Sequence, residues 1–291
     1  MTTHDESLMG RVVAGEYTIE SFLGGGAMGE VYGARSSHGQ VAIKFLRREL
    51  ADDPEIVARF QREARLAREL RSDHVAAVLG SGVEANGRAW IAFEHLVGET
   101  LDARLQREPI PVAELRWIID GVLQGLADAH RQRIIHRDIK PANIFLEASG
   151  RARILDFGVS KLARTEAGDT TTGLTTAGDA LGTANYMAPE QMQSAATVTA
   201  RADLYSVGVV LFRLLSGRLP FEAGSYVHLR ACKLHDNPPS LDEVTGRKWP
   251  EVVEAFTQNL MAREPADRLA SADAARNAWS FAWSALTSVR S

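Results

Sequence analysis

Two stretches of the sequence carry residues whose types and spacing could do chemistry. The first is Gly24-Gly25-Gly26-Ala27-Met28-Gly29, a GxGxxG pattern. Glycine has no Cβ, so backbone N–H groups in such a turn can approach phosphate oxygens closely. A dinucleotide-binding turn carries the same pattern but leads directly into a helix, whereas Glu30-Val31-Tyr32 continues as a strand. A second strand then ends in Val41-Ala42-Ile43-Lys44, and a lysine at a strand end is by itself an ordinary solvated charge. The other stretch is His136-Arg137-Asp138-Ile139-Lys140-Pro141-Ala142-Asn143, with Asp156-Phe157-Gly158 behind it and Met187-Ala188-Pro189-Glu190 further on. A single Asp or Asn reads as a turn or a helix cap. The ordered set H-R-D-x-K-x-x-N is far more specific than any of its members.

These residues need elements to position them. From Tyr17 to Phe45 apolar and polar residues alternate around glycines (YTIESFL, EVYGAR, QVAIKFL), the pattern of strand, turn and strand. Asp53-Pro54 opens a helix reaching about Leu70, with proline at a tolerated first-turn position. Further strand-like pieces lie at residues 76–79 and 89–93. Beyond Gly98 the character changes to long helical periods such as ELRWIIDGVLQGLADAH and DLYSVGVVLFRLLSG. The expected organisation is an N-terminal tail over residues 1–14, its first ten residues polar and loose apart from Leu8 and Met9, a β-rich lobe over about 15–95, a short junction at about 94–98, a larger helical lobe over about 99–286, and a tail at 287–291. Trp279, Phe281 and Trp283 are expected to pack a last helix, or to leave an exposed face that could dock a partner. Residues 165–176 are rich in Thr among Gly, Ala and Asp, a composition that suits a mobile loop.

Composition bounds the reading. The 291 residues are 45% hydrophobic and 24% charged, enough for a sizeable core, and they show no collagen-like glycine period. Lys+Arg 33 against Asp+Glu 37 gives a net charge of −4, so non-specific nucleic-acid binding is not the expected task. The lone Cys232 can form neither an internal disulfide nor a CxxC zinc site, and reads as a small packed residue. The start, MTTHDESLMG, carries acids where a signal peptide needs a basic stretch and then an apolar run. The most apolar stretch, from Leu204, is interrupted by Arg213 and too short to span a bilayer. A cytoplasmic protein with no membrane segment in this chain is expected.

The glycine loop, VAIK, HRD, DFG and APE motifs occur in order and at suitable separations. On those residues the sequence resembles the protein-kinase family over about residues 15–286. The phrasing HRDIKPANI…ILDFGVSK…GTANYMAPEQ is similar to bacterial eukaryotic-like (Hanks-type) Ser/Thr kinases in particular. The resemblance implies an α+β, two-lobed protein kinase fold: a small antiparallel β-rich N-lobe with one main helix, and a larger, mainly helical C-lobe. It implies transfer of the γ-phosphate of MgATP, with Mn²⁺ a plausible substitute metal, to Ser/Thr hydroxyls of protein substrates. Lys44 is then expected to hold the α/β-phosphates and to be held by Glu63. Asp156 and Asn143 are expected to bind the metal, Asp138 to orient or accept the substrate proton, and Lys140 to offset charge on the transferring phosphate.

By the same match, Leu23, Gly24, Gly25, Gly26, Ala27, Gly29, Val31 and Ala42 cover ATP, with Phe145 or Ile144 beneath the adenine. Phe93 stands as a bulky gatekeeper before hinge residues Glu94, His95 and Leu96. Thr183 is expected to position the acceptor by bonding Asp138 and Lys140. Asp203 is expected to brace His136 and Arg137 through their backbone, and Glu190 to pair with Arg268. Arg137 beside the catalytic Asp implies activation-loop autophosphorylation, with Thr175 and Thr176 as candidate sites and Thr170–Thr172 as secondary ones. The arginines at 59, 62, 65, 68 and 71 read either as solvated charges or, for one or two, as receivers of that phosphate. Family analogy allows a homodimer for trans-autophosphorylation. Three rivals fail on particular residues. A pseudokinase needs a broken Lys44, Asp138, Asp156 or glycine loop, and Lys44, Asp138, Asn143 and Asp156 are all present. A small-molecule kinase generally lacks the Thr183 and Ala-Pro-Glu platform. An oxidoreductase needs a helix after the glycine loop.

Overall fold

The computed structural model of the chain describes residues 5–26, 28–157, 177–194 and 198–288. Ala27, Gly158, Thr170–Thr172, Thr175 and Thr176 lie outside the described residues. The described chain divides into two compact units between Val97 and Gly98.

In the N-terminal unit, β1 (Val12–Val13), β2 (Tyr17–Gly25), β3 (Gly29–Ser36), β4 (Gly39–Leu46), β5 (Val78–Val83) and β6 (Ala89–Glu94) form one six-stranded sheet in the order β1-β2-β3-β4-β6-β5. Every pairing in it is antiparallel. A short helix, α1 (Arg48–Ala51), precedes the main helix α2 (Pro54–Glu69). The Asp53 side chain accepts the Glu55 and Ile56 amides, which start α2 as its sequence predicts. Side chains on a strand alternate between faces. One face of this sheet is the apolar core, holding Tyr17, Ile19, Tyr32, Ala34, Val41, Ile43, Phe45, Trp90 and Ala92. The opposite register positions carry Val31, Ala42, Lys44 and Phe93, with Ala42 opposite Phe93 and Val31 opposite Lys44.

Residues 5–13 depart from the expected loose tail. Leu8 is fully buried in that same core, in a 3-10 turn over Glu6–Leu8, and Val12 and Val13 pair with Thr18 and Tyr17. An ion cluster fixes the turn. Buried Arg88 donates to Asp5 and to Glu30 at 2.7 Å each and to the Leu46 carbonyl at 3.1 Å, while Tyr32 Oη donates to Glu30 at 3.2 Å. Leu8 and this cluster outweigh the polar composition of the segment.

The C-terminal unit carries a three-stranded antiparallel sheet of β7 (Gly98–Thr100), β8 (Ile144–Glu147) and β9 (Ala152–Ile154). The rest of its described regular structure is helical apart from short 3-10 turns: α3 (Leu101–Arg107), α4 (Val112–Arg131), α5 (Ala177–Ala184), α6 (Arg201–Ser216), α7 (Tyr226–His235), α8 (Leu241–Thr245), α9 (Glu251–Leu260) and α10 (Ala272–Ser288). Helix α6 is buried over nearly its whole length, including Asp203, and ends on Gly217 at φ 75°. Helix α10 packs through Trp279 and Trp283, whereas Phe281 is 70% exposed. At 3.6 residues per turn, positions 279 and 283 share a face and 281 points away.

Candidate active site

The N-terminal unit holds the predicted phosphate-binding residues. Leu23, Gly24 and Gly25 lie on β2, Gly29 and Val31 on β3, Ala42 and Lys44 on β4, and Phe93 and Glu94 at the end of β6. The turn is closed by the Gly26 amide donating to the Gly29 carbonyl at 2.8 Å and by Arg47 Nε donating to the Gly26 carbonyl at 2.7 Å. A Cβ on Gly29 would lie 2.5 Å from the Phe45 carbonyl, whereas one on Gly24 or Gly26 would meet nothing within 4 Å. Gly29 is therefore demanded by strand packing, and the open faces belong to Gly24 and Gly26. Lys44 and Glu63 are both buried, Glu63 on the inner side of α2 with Phe60, Ala64 and Ala67. Buried charges are tolerated only with partners. Glu94 accepts the Ala77 amide at 2.6 Å, and Leu96 is half-buried just before the unit ends.

The C-terminal unit gathers the HRD residues into one hydrogen-bonded loop. Asp138 Oδ2 lies 3.1 Å from Lys140 Nζ and receives Asn143 Nδ2, also at 3.1 Å. The same Asn143 nitrogen donates to the Asp138 carbonyl at 2.8 Å. Both acceptors are oxygens, so the Asn143 amide must face them with its nitrogen, leaving Oδ1 as its acceptor. Lys140 Nζ also donates to Thr183 Oγ1 at 3.1 Å. His136 is buried and its Nδ1 accepts the Asp138 amide at 3.1 Å, which puts the ring proton on Nε2, donating to the Leu155 carbonyl at 2.8 Å. Phe157 meets the same ring edge-on at 4.7 Å. The Leu155 amide donates to the Asn143 carbonyl at 2.9 Å, so Asp156 follows directly from a residue tied to the HRD loop.

Asp203 on α6 braces this loop from below. It is wholly buried and accepts the His136 amide (2.9 Å), the Arg137 amide (2.7 Å) and His130 Nε2 (2.8 Å). Burial pushes its carboxyl up, but the hydrogen bonds it accepts from His130 and from the His136 amide outweigh it and hold the group below the usual carboxylate range. Arg137 stands at φ 65° and Asp156 at φ 53°, left-handed conformations that a non-glycine residue adopts at a cost of about 1–3 kcal/mol. Asp203 holds the amide of Arg137, and Gln191 Nε2 donates to its carbonyl at 3.0 Å.

The stretch leading into Ala-Pro-Glu is locked from several sides. Gly182 and Thr183 stand in the last turn of α5 and not in an open loop, since Ala and Leu in AGDALGTA favour a helix. Glu190 pairs with Arg268 at 2.7 and 2.8 Å. Lys233 of α7 reaches the backbone after Thr183, with Nζ within hydrogen-bond distance of the Ala184, Asn185 and Met187 carbonyls. Phe145 is half-buried on β8, whereas Ile144 is fully buried on its other face. Sequence reading missed His130, Gln191, Arg88 and Lys233. Lys233 alone had a legible signal, since it lies four residues after buried Leu229 on one helix face.

Residues 17–280 match the protein kinase domain. The Ser/Thr-protein kinase pkn3 of Myxococcus xanthus is 37% identical over 285 residues, which cover 94% of this chain and 51% of that protein. PknJ of Mycobacterium tuberculosis is 40% identical, covering 90% and 44%, and PrkC of Bacillus subtilis is 33% identical, covering 91% and 40%. The chain thus spans about half the length, or less, of these curated relatives. The solved kinase domain of M. tuberculosis PknI superposes with a TM-score of 0.72 at 28% identity, covering 94% of this chain and 97% of that domain. With an antiparallel β-sheet unit followed by a helical one, the chain belongs to the protein kinase domain family.

Proposed function

We propose that this chain is a Ser/Thr protein kinase that transfers the γ-phosphoryl group of ATP to hydroxyls of protein substrates. The observation that carries the reading is the single hydrogen-bonded set of Asp138, Lys140, Asn143 and Thr183. Phosphoryl transfer asks for in-line placement of two oxygens and neutralisation of phosphate charge, with little covalent chemistry from the protein. Asp138 accepts the hydroxyl proton as the acceptor oxygen bonds to the γ-phosphorus and the bond to the β–γ bridging oxygen breaks. Lys140, 3.1 Å from Asp138 Oδ2, stabilises charge on the transferring group, and Thr183 holds Lys140 in place. Lys44 binds the α/β-phosphates, Glu63 orients Lys44, and the backbone at Gly24 and Gly26 covers the phosphates. Leu23, Val31, Ala42, Phe93 and the Glu94–Leu96 backbone receive the adenine.

The residues fit a divalent cation of the Mg²⁺ class. Among the described residues no group of three or more His, Cys, Asp or Glu forms a metal cage. Mg²⁺ is usually bound by one or two protein oxygens together with substrate phosphates. The Asp156 carboxylate and Asn143 Oδ1, the latter turned outward by both bonds of its nitrogen to Asp138, are such a pair. A bound cation there supplies charge neutralisation to the phosphates.

Arg137, adjacent to Asp138, supports activation by phosphorylation of Thr175 or Thr176, in trans between two copies. Autophosphorylation whose rate per molecule rises with protein concentration, with phosphate mapped to those threonines by mass spectrometry, is the expected result. The reading as a whole is tested with γ-labelled ATP and a generic basic protein acceptor. Label is expected on Ser and Thr, not Tyr, and is expected to vanish with EDTA. Label that survives EDTA, or none in any acceptor, overturns it.

A further inference from the structure

A lysine that is 2% exposed is unusual, and Lys233 spends its ammonium on the backbone of residues 184–187. It lies 3.2 Å from the Ala184 carbonyl, 2.6 Å from Asn185 and 2.7 Å from Met187, and 5.1 Å from the centre of the Tyr205 ring. An ammonium has three hydrogens to donate, and three carbonyls converge on it. The stretch needs such a partner because it leaves α5 at Ala184 and enters no further regular element before the 3-10 turn at Pro189–Met192. Buried backbone carbonyls must be satisfied. Among residues 183–188, Thr183 O accepts Tyr186 N, Tyr186 O accepts Ser206 Oγ at 2.8 Å, and Ala188 O accepts Gln191 N. Asn185 O and Met187 O are taken by Lys233, which also shares Ala184 O with the Met187 amide. A cation at the carbonyl end of α5 also matches the helix dipole.

Apolar packing seals the arrangement. Ala184, Met187, Met192 and Leu229 form one buried cluster, with Leu229 on the same face of α7 as Lys233. The anchored backbone begins one residue after Thr183, whose hydroxyl receives the Lys140 hydrogen bond. We infer that Lys233 is a positioning residue for the protein acceptor: it fixes the 184–187 backbone, directly after Thr183, in the geometry that receives a peptide carrying a Ser or Thr hydroxyl, while Lys140 keeps its own contact with Asp138. This rests on the protein-kinase reading above. Lys233 acts on acceptor use and not on ATP use.

The test compares wild type with Lys233→Met, which keeps length and removes the donors, and Lys233→Arg, which keeps a cation. Phosphorylation of a Ser-containing peptide is measured beside hydrolysis of ATP with water as acceptor. In Lys233→Met the peptide kcat/KM is expected to fall by up to about 100-fold, the loss set by misplacing a reacting group by about 1 Å. ATP KM and ATP hydrolysis are expected to stay within about twofold, the signature of lost acceptor positioning. Lys233→Arg is expected to recover part of the peptide kcat/KM. Equal loss of peptide transfer and ATP hydrolysis, or no loss of either, overturns the assignment. Amide hydrogen exchange over residues 183–188 gives a readout independent of activity, and it should speed up in Lys233→Met. Unchanged exchange there also overturns the anchor. A wild type that transfers no phosphate, with exchange nonetheless accelerated in the variant, refutes the kinase reading while leaving the anchor standing.

Discussion

Replacing Glu190 by Ala should unfold the C-terminal unit more readily while sparing the chemistry of molecules that remain folded. The magnitude follows from how Arg268 is used. Its side chain is 0% exposed, and its five N–H donors are all engaged. Two go to Glu190, at 2.7 and 2.8 Å, and three go to the carbonyls of Ala262, Arg201 and Arg263, at 2.7, 2.9 and 3.0 Å. The Tyr205 ring lies 5.0 Å from the guanidinium carbon. Removing one partner of a buried ion pair costs about 3–5 kcal/mol. Because three carbonyls and a ring remain on the cation, the lower end applies, about 3 kcal/mol. Glu190→Gln keeps one acceptor oxygen and should lose about 1.5 kcal/mol, the smaller value for a hydrogen bond to a charged group. Urea unfolding followed by tryptophan fluorescence can resolve this in a Trp90→Phe background. Trp117, Trp249, Trp279 and Trp283 then all report on the C-terminal unit. Thermal melting should fall by about 6–12 °C in Glu190→Ala. A loss below about 1 kcal/mol, or a drop in kcat without a drop in stability, would refute the reasoning.

Three further outcomes are expected. Arg88→Met removes the cation between Asp5 and Glu30 and should destabilise the N-terminal unit by about 3 kcal/mol, with a double-mutant cycle against Glu30→Gln giving a coupling above about 1 kcal/mol; additive effects would contradict the cluster. Burial opposes the Asp5 charge, but hydrogen bonds from Ser7, Arg48 and Arg88 and the Arg48 charge prevail and lower its pKa to about 2. A depressed carboxylate stabilises above its unfolded pKa of about 3.9 and loses that contribution as pH falls through the folded value. Acid unfolding below about pH 4 should therefore weaken wild type more steeply than Asp5→Asn, and parallel curves would sink the assignment. Gly29→Ala places a Cβ 2.5 Å from the Phe45 carbonyl, so it should cost about 1–3 kcal/mol and raise the KM for ATP, whereas Gly24→Ala should leave stability unchanged.

The sequence made the local chemistry legible and left the distant contacts dark. Asp138, Lys140 and Asn143 fall within one short loop, so their order in the chain already places them together, and the hydrogen bonds among them follow. Val31, Ala42 and Lys44 are assigned by the family resemblance, and the register of the sheet puts them at one set of positions. The family resemblance supplied the long-range partners Asp203 and Glu190–Arg268, both of which the structure brings together with their expected groups. Arg88 and Asp5 are 83 positions apart and each looks like a solvated charge, so nothing local announces that they meet inside the N-terminal unit. The polar composition of residues 5–7 suggests a loose segment, yet buried Leu8 and the contact of Asp5 with Arg88 hold it against the N-terminal core. Phe281 shows the opposite failure, since an aromatic residue suggests packing while the helical period turns it outward.

The most direct test is single-turnover phosphoryl transfer from γ-labelled ATP by wild type and by Asp138→Asn, which keeps the shape of the side chain and removes its charge. Loss of a positioned proton acceptor should slow transfer to a Ser or Thr peptide by about 100-fold to 10,000-fold, with ATP affinity and unfolding midpoint unchanged. Transfer at the wild-type rate in Asp138→Asn would contradict the account.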